Sequence, residues 1–496
     1  MTHLKQNKQA SAFTKGAAAV LLASCSWALP AVAADDAMTE LLGTLRQRGT
    51  ISEAEYQRMK PQAEKQAAAA SSALNKEALK KEWFSRMSIR GYVQTRYTHV
   101  FGSGVDNAAT QLHSPTETNI AERDTFLMRR ARMIFSGDVH DHLFLYWQVD
   151  GQAGVNSGYN ETNTSAFQTR DMYGDVSLDH DKEHRIRIGI SKVPYGFVNL
   201  QSSQNRLSIE RPEALNSAVE GERDLGVYYI WANKTARERF RELVKLGLKG
   251  SGDYGVFNVG AYNGQGLNRF DSNRNLHTSL RLAYPFQLEN GQFFEVGLSG
   301  YEGQFVPGNV ADKNAAAAVA GNLNGRSYAD RRAAANFVWY PQPFGMELEW
   351  TVGEGPESRV AYDSLGRGKV LKLNGTTAVA AATNADMSIE SLHGGYAMFN
   401  YKADTDIGTI IPFTRWSYFD GARKFRAGSP TQKVNELDFG VEYQPWPSFE
   451  VALVYTHTLE RTNTEQTTAT SVNGTTSVYT LAKDVDRVTI QMQYNF

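Results

Sequence analysis

Apolar and polar residues alternate with a period of two from about residue 84 to the end, most cleanly in the closing segment. There Val488, Ile490, Met492, Tyr494 and Phe496 alternate with Arg487, Thr489, Gln491, Gln493 and Asn495. Residues two apart share one face of a strand, so the segment predicts a strand with an apolar face and a polar one. The same reading applies to Leu143–Asp150, Arg185–Ser191, Met346–Val352 and Leu437–Tyr443. Short turns are predicted at Gly137–Asp141, Asp179–Lys182, Pro341–Pro343, Ala403–Ile407 and Gln444–Pro447. Long polar loops are predicted at 100–123, 152–167, 193–221, 302–327, 354–390, 419–433 and 460–483. A soluble sandwich can show the alternation but has no reason to keep short turns on one rim and long loops on the other; a transmembrane barrel does. The expectation is an all-β, transmembrane antiparallel β-barrel over residues 83–496. About seventeen segments look strand-like, and a barrel with both ends on one rim needs an even number, so sixteen strands are expected and eighteen are the fallback. The crowding lies where Leu225–Trp231, Leu243–Leu248 and Val256–Tyr262 all look extended; Leu225–Trp231 is assigned to pairing outside the membrane band. Sixteen strands leave an aqueous lumen.

The first eighty residues read differently. Lys5, Lys8 and Lys15 precede an apolar stretch from Gly16 to Leu29, and Ala31-Val32-Ala33 forms a cleavage site, so residues 1–33 are expected to be an export signal. Leu22-Ala23-Ser24-Cys25 also resembles a lipobox, the rival in which Cys25 is lipidated. Residues 34–82 predict a short helical extension in the periplasm, a coiled coil or a linker, with Ser52 and Glu55 at capping-box spacing. No later segment is apolar for long enough to cross a membrane as a helix.

Composition narrows the class. The chain has 42 Gly, 23 Tyr, 24 Phe and a single Cys, which suits many short strands and leaves no internal disulfide. A formal net charge of -1 gives a nucleic-acid partner no electrostatic support. A mean hydropathy of -0.44 in an exported chain fits a barrel, because only alternate strand residues face lipid.

A series of ordered segments then carries a resemblance. These are Ile89-Arg90-Gly91-Tyr92-Val93-Gln94, Phe126-Leu127-Met128-Arg129-Arg130-Ala131-Arg132, and Ile188 to Gly196. Glu210-Arg211, Arg223 to Val227, Tyr262-Asn263-Gly264, Ile411 to Trp416 and the closing strand complete it. Together, over roughly residues 84–496, they resemble the phosphate-selective porin O and P family. The resemblance implies an outer-membrane homotrimer of sixteen-stranded barrels passing small anions such as phosphate, without a cofactor, with lumen arginines and lysines guiding the solute and inward-folded loops narrowing the pore. Arg90, Arg130 and Arg132 stand at matching positions, but no full arginine ladder can be mapped.

Taking the polar face as the lumen, the pore-lining candidates are Arg90, Arg96, Arg130, Arg132, Arg185, Arg187, Arg281, Glu347 and Glu349. The early strands are mainly basic and the later ones add Glu295, Asp438 and Glu442, so a basic wall would face a more acidic one. Asp150, Asp171 and Asp175 disturb that separation. Loop 193–221, with Lys192, Arg206, Glu210 and Arg211, is the candidate constriction. Phe496 is the expected assembly signal for the machinery that inserts barrels into outer-membrane lipid. The sequence shows no catalytic or metal-binding pattern: His140/His142 and His180/His184 sit in turns, and neither a G-x-S-x-G elbow nor a phosphate-binding glycine loop appears. Two rivals to passive diffusion are a barrel sheathing a redox or export partner and a surface-exposed barrel hydrolase.

Overall fold

The computed structural model describes residues 83–101, 125–151, 167–307, 327–358, 369–373, 376–380, 387–422, 424–425, 429, 431–463, 469–470, 476–477 and 486–496, with scattered positions between Gly43 and Lys65. The export signal over 1–33, Cys25 and most of the loops at 100–123, 152–167, 302–327, 354–390 and 460–483 lie outside the described residues. The chain divides after Arg86 into two units. In the first, the described positions are helical except Ser52, whose carbonyl accepts from the Tyr56 amide at 2.9 Å. The Arg46 guanidinium lies 4.5 Å from the Tyr56 ring centroid, and the Glu55 of the proposed capping box lies outside the described residues.

The second unit is a closed antiparallel barrel of sixteen strands. In chain order they are β1 Met87–Phe101, β2 Thr125–His140, β3 Leu143–Asp150, β4 Gln168–Ser177, β5 His184–Lys192, β6 Arg223–Trp231, β7 Phe257–Tyr262 and β8 His277–Gln287. The second half comprises β9 Phe293–Phe305, β10 Tyr328–Trp339, β11 Phe344–Ser358, β12 Met387–Tyr401, β13 Gly408–Ala422, β14 Thr431–Trp446, β15 Phe449–Asn463 and β16 Asp486–Asn495. Ala403–Thr405 continues β12, since both pair with β13. Each strand pairs with its neighbour in sequence, and β16 closes on β1 from Tyr92↔Asn495 to Phe101↔Asp486. Closure leaves no unpaired edge in lipid. At the seam Gly91 and Phe496 exchange backbone hydrogen bonds at 2.8 and 3.0 Å. A Cβ on Gly91 would lie 2.5 Å from the Phe496 ring, so only glycine lets the terminal aromatic lie there.

The alternation sets the two faces as expected. Trp147, Ile188, Leu298, Trp350, Phe439, Leu453 and Ile490 point outward and are exposed, while the interleaved polar residues point into the lumen. Outward aromatics gather near the short-turn rim, where Phe286–Phe294–Trp339 and Trp446–Phe449–Tyr494 form chains of neighbouring rings. Trp350, Trp416 and Tyr418 gather further along β11 and β13. Such belts suit membrane–water interfaces.

Three expectations change. Leu225–Trp231 lies within β6, a full barrel strand paired with β5 and β7 and not set outside the wall. Leu243–Leu248 is not a strand but the end of a helix, Lys234–Lys245, in the β6–β7 connection on the short-turn rim. Asn233 caps it by accepting from the Ala236 amide at 2.8 Å, and Ala236, Phe240 and Leu243 form its buried face. Gly247, at φ +65°, ends it: Gly247 N–H donates to Val244 and Leu248 N–H to Leu243, so the apparent alternation Leu246/Leu248 is a helix terminus. The alternation also starts at Met87, after a 3-10 turn over Trp83–Arg86.

Candidate functional site: the lumen and the loop folded into it

β5 and β6 are short, so the chain leaves the wall at Lys192 and returns at Arg223, and almost every described side chain between them is buried. The polar contacts of loop 193–222 run round the barrel. Gln94 of β1 donates to the Ser203 carbonyl at 3.0 Å, and Gln493 of β16 to that of Gln204 at 3.1 Å. On the far wall, the amides of Phe197 and Val198 donate to Glu349 at 2.6 and 3.1 Å, and Tyr195 hydrogen-bonds Thr351. Arg415 of β13 donates to the Glu210 carbonyl at 2.7 Å. An apolar cluster joins Val193, Val198, Leu215 and Val219 to Tyr396, Met398, Phe413 and Phe419 on the wall. From the short-turn rim, Leu243 and Leu248 meet Phe197 in a second cluster, and the Lys249 carbonyl accepts from Gln201 at 2.6 Å. The loop is thus a lumen element held from both rims.

Two buried carboxylates organise the loop's charges. Glu210 sits 3.0, 2.8 and 3.4 Å from Arg96, Arg129 and Arg130. Arg129 reaches the lumen because the β1–β2 register shifts between Gln94 and Thr95, and such a bulge turns two successive side chains to one face. Glu222 takes Lys192, Arg211 and Arg223 at 3.0, 3.0 and 2.8 Å, with Arg206 at 3.6 Å. Burial pushes both carboxyls up, but these cations outweigh it and hold both well below the usual carboxylate range. The Lys192 ammonium also donates to the carbonyls of Asn199, Leu200 and Gln201, stapling the turn that follows it.

All nine pore-lining candidates fall on the inward face, but the structure brings them together as pairs rather than as one ladder. Arg132 pairs with Asp150 at 2.9 Å, Arg187 with Asp175 at 2.7 Å, Arg185 with Asp253 at 2.8 Å and Arg281 with Glu295 at 3.0 Å. Arg96 and Arg130 belong to the Glu210 cluster. Glu347 accepts from Tyr396 at 3.1 Å and Glu349 from the loop amides, and neither has a cation within salt-bridge distance among the described residues. Eight of the nine are buried; Arg90 alone is exposed, and it has no ion-pair partner among the described residues. Lys192, Arg206, Glu210 and Arg211 all lie in the loop network.

The sequence reading missed Glu222, Arg129, Lys249 and Lys424. Lys249 pairs with Glu442 at 2.5 Å, and Lys424, from the β13–β14 loop, pairs with Asp330. None carries a local motif: Glu222 and Arg129 find their partners through the folded-back loop and a strand bulge, and Lys249 and Lys424 meet carboxylates of distant strands.

Residues 102–496 match the family model described as "Phosphate-selective porin O and P". The chain belongs to that family. As a porin of that family it is an outer-membrane channel protein, and the sixteen-stranded closure agrees. No curated protein matches it in sequence. Among solved structures, the outer membrane channel DcaP of Acinetobacter baumannii is 14% identical, covering 83% of this chain and 97% of that one, with a TM-score of 0.42. Salmonella typhi OmpF in complex with daunomycin is 12% identical, with coverages of 83% and 97% and a TM-score of 0.47. An anion-selective porin from Comamonas acidovorans is 10% identical, with coverages of 83% and 99% and a TM-score of 0.43.

Proposed function

We propose that this porin passes small hydrophilic solutes by passive diffusion with a preference for anions, as a homotrimer in the outer membrane with its N-terminal extension in the periplasm. The carrying observation is the charge imbalance where loop 193–222 meets β1–β6. Eight cations (Arg96, Arg129, Arg130, Arg132, Lys192, Arg206, Arg211 and Arg223) surround four carboxylates, Asp150, Asp171, Glu210 and Glu222. Arg206 Nε and Nη1 are buried without a hydrogen-bond partner among the described residues. A surplus of fixed guanidinium charge in a low-dielectric girdle favours a passing anion, and guanidinium stays charged at every relevant pH. The trimer and the phosphate-like solute rest on the family alone.

The test is single-channel conductance and reversal potential in planar bilayers. Ohmic conductance with a Cl⁻-favouring potential in a KCl gradient is expected, and a K⁺ preference at neutral pH refutes the anion bias. The barrel-as-sheath reading has one support, the burial of so many lumen side chains beneath the loop. A non-conducting barrel that copurifies with a stoichiometric partner decides for it.

A further inference from the structure

The charged girdle leaves one lumen feature unused. Tyr146 of β3 and Tyr173 of β4 are register partners on the inward face, and their rings stack with centroids 5.1 Å apart and 11° between planes. The Arg187 guanidinium lies 3.9 Å from the Tyr173 centroid and 5.5 Å from that of Tyr254, which comes from the β6–β7 connection. Asp175 fixes that guanidinium by two hydrogen bonds of 2.7 and 2.8 Å and neutralises it. The result is a platform of three rings and one immobilised planar cation.

Three observations set this platform apart from a brace inside a packed core. Tyr146, Tyr173 and Tyr254 are all partly exposed, whereas Tyr195, Tyr228 and Tyr301 elsewhere in the lumen are buried. None of the three hydroxyls has a hydrogen-bond partner among the described residues. Arg90, the exposed lumen arginine with no ion-pair partner among the described residues, is level through Ile134 with Gln148, the next inward residue after Tyr146. Inorganic anions have no use for π faces. Stacked rings recognise a flat ring, free phenols donate to oxygen, and a free guanidinium takes a carboxylate in two parallel bonds.

The geometry points to a subsite for planar aromatic carboxylates on the β3–β5 wall, at the edge of which Arg90 holds the carboxylate. This rests on the lumen being a solute path, as proposed above, and names a class of solute for it.

The experiment uses the full chain, benzoate and its non-planar counterpart cyclohexanecarboxylate, with inorganic phosphate as the third probe. Both current block in bilayers and calorimetric binding in detergent are read. Benzoate is expected to bind about three- to tenfold more tightly than cyclohexanecarboxylate, the contribution of one aromatic stacking contact. Tyr173→Leu or Tyr146→Leu removes that preference, Tyr173→Phe keeps it, and Arg90→Gln weakens both carboxylates alike. Equal affinities for the two acids, or a preference that survives both leucine variants, overturns the subsite while conductance leaves the porin reading standing. A chain that conducts nothing overturns the porin reading, and the calorimetric comparison then decides the subsite by itself.

Discussion

The two halves of the lumen wall solve the same problem with opposite balances. Where the loop meets β1–β6, eight cations outnumber four carboxylates in the ion-pair network, and two of those four, Glu210 and Glu222, come from the loop itself. Around β8–β15, Arg281, Arg332, Arg415 and Lys424 each meet a wall carboxylate, while Glu347 and Glu349 stand without an ion-pair partner among the described residues. A buried charge must be paired or hydrogen-bonded. The first half therefore depends on a loop to complete it, and the second is largely complete in the wall. Disturbing the loop should release the basic side and leave the ion pairs of the acidic side intact, with Glu349 losing the loop amides.

The largest effect is expected from Glu222→Gln. It leaves Lys192, Arg206, Arg211 and Arg223 facing one another and costs about 3–5 kcal/mol of loop anchoring, as breaking a buried ion pair does. Faster protease cutting within 193–222 and a stronger Cl⁻ preference would show it; unchanged cutting would remove Glu222 as the anchor.

Acid should have a related, smaller effect. Because the folded Glu210 and Glu222 carboxyls are held below their unfolded values, their stabilisation is full above the ordinary carboxylate range. It is lost as pH falls through the lowered folded values. Thermal stability should thus stay level from pH 7 down to about 5 and drop below about 4, the ordinary carboxylate pKa. The acid limb should be weaker in Glu222→Gln.

On the opposite wall, Glu349→Leu strips the Phe197 and Val198 amides of their acceptor and costs about 1–3 kcal/mol, the usual penalty for orphaning buried polar groups. It also removes a negative charge, so the Cl⁻ preference should rise modestly. A fall would mean that the acidic wall does not oppose the basic one. The smallest change in the inserted channel is expected from Phe496→Ala, whose side chain is 64% exposed beside the seam. Its conductance should match the wild type while the yield of inserted barrel drops; equal yields would dismiss Phe496 as an assembly signal.

The alternation made the barrel legible because membrane strands repeat a local rule, inward polar and outward apolar, that every strand states for itself. Its one large error, Leu243–Leu248, came where a glycine-terminated helix mimics that period over a few residues. The lumen's basic and acidic halves were legible in the same way, as chain order carried round a wall. The pairing was not. Glu222 finds Lys192 and Arg211 only because the loop turns back into the barrel, and Arg129 reaches Glu210 only through a bulge. Tyr146 and Tyr173 read as ordinary strand aromatics until register stacks them.

The most direct test of the whole account is the zero-current potential of the wild-type channel in a KCl gradient at neutral pH. The surplus of cations round loop 193–222 predicts a potential set mainly by Cl⁻. A potential set by K⁺, or a barrel that carries no current, would contradict it.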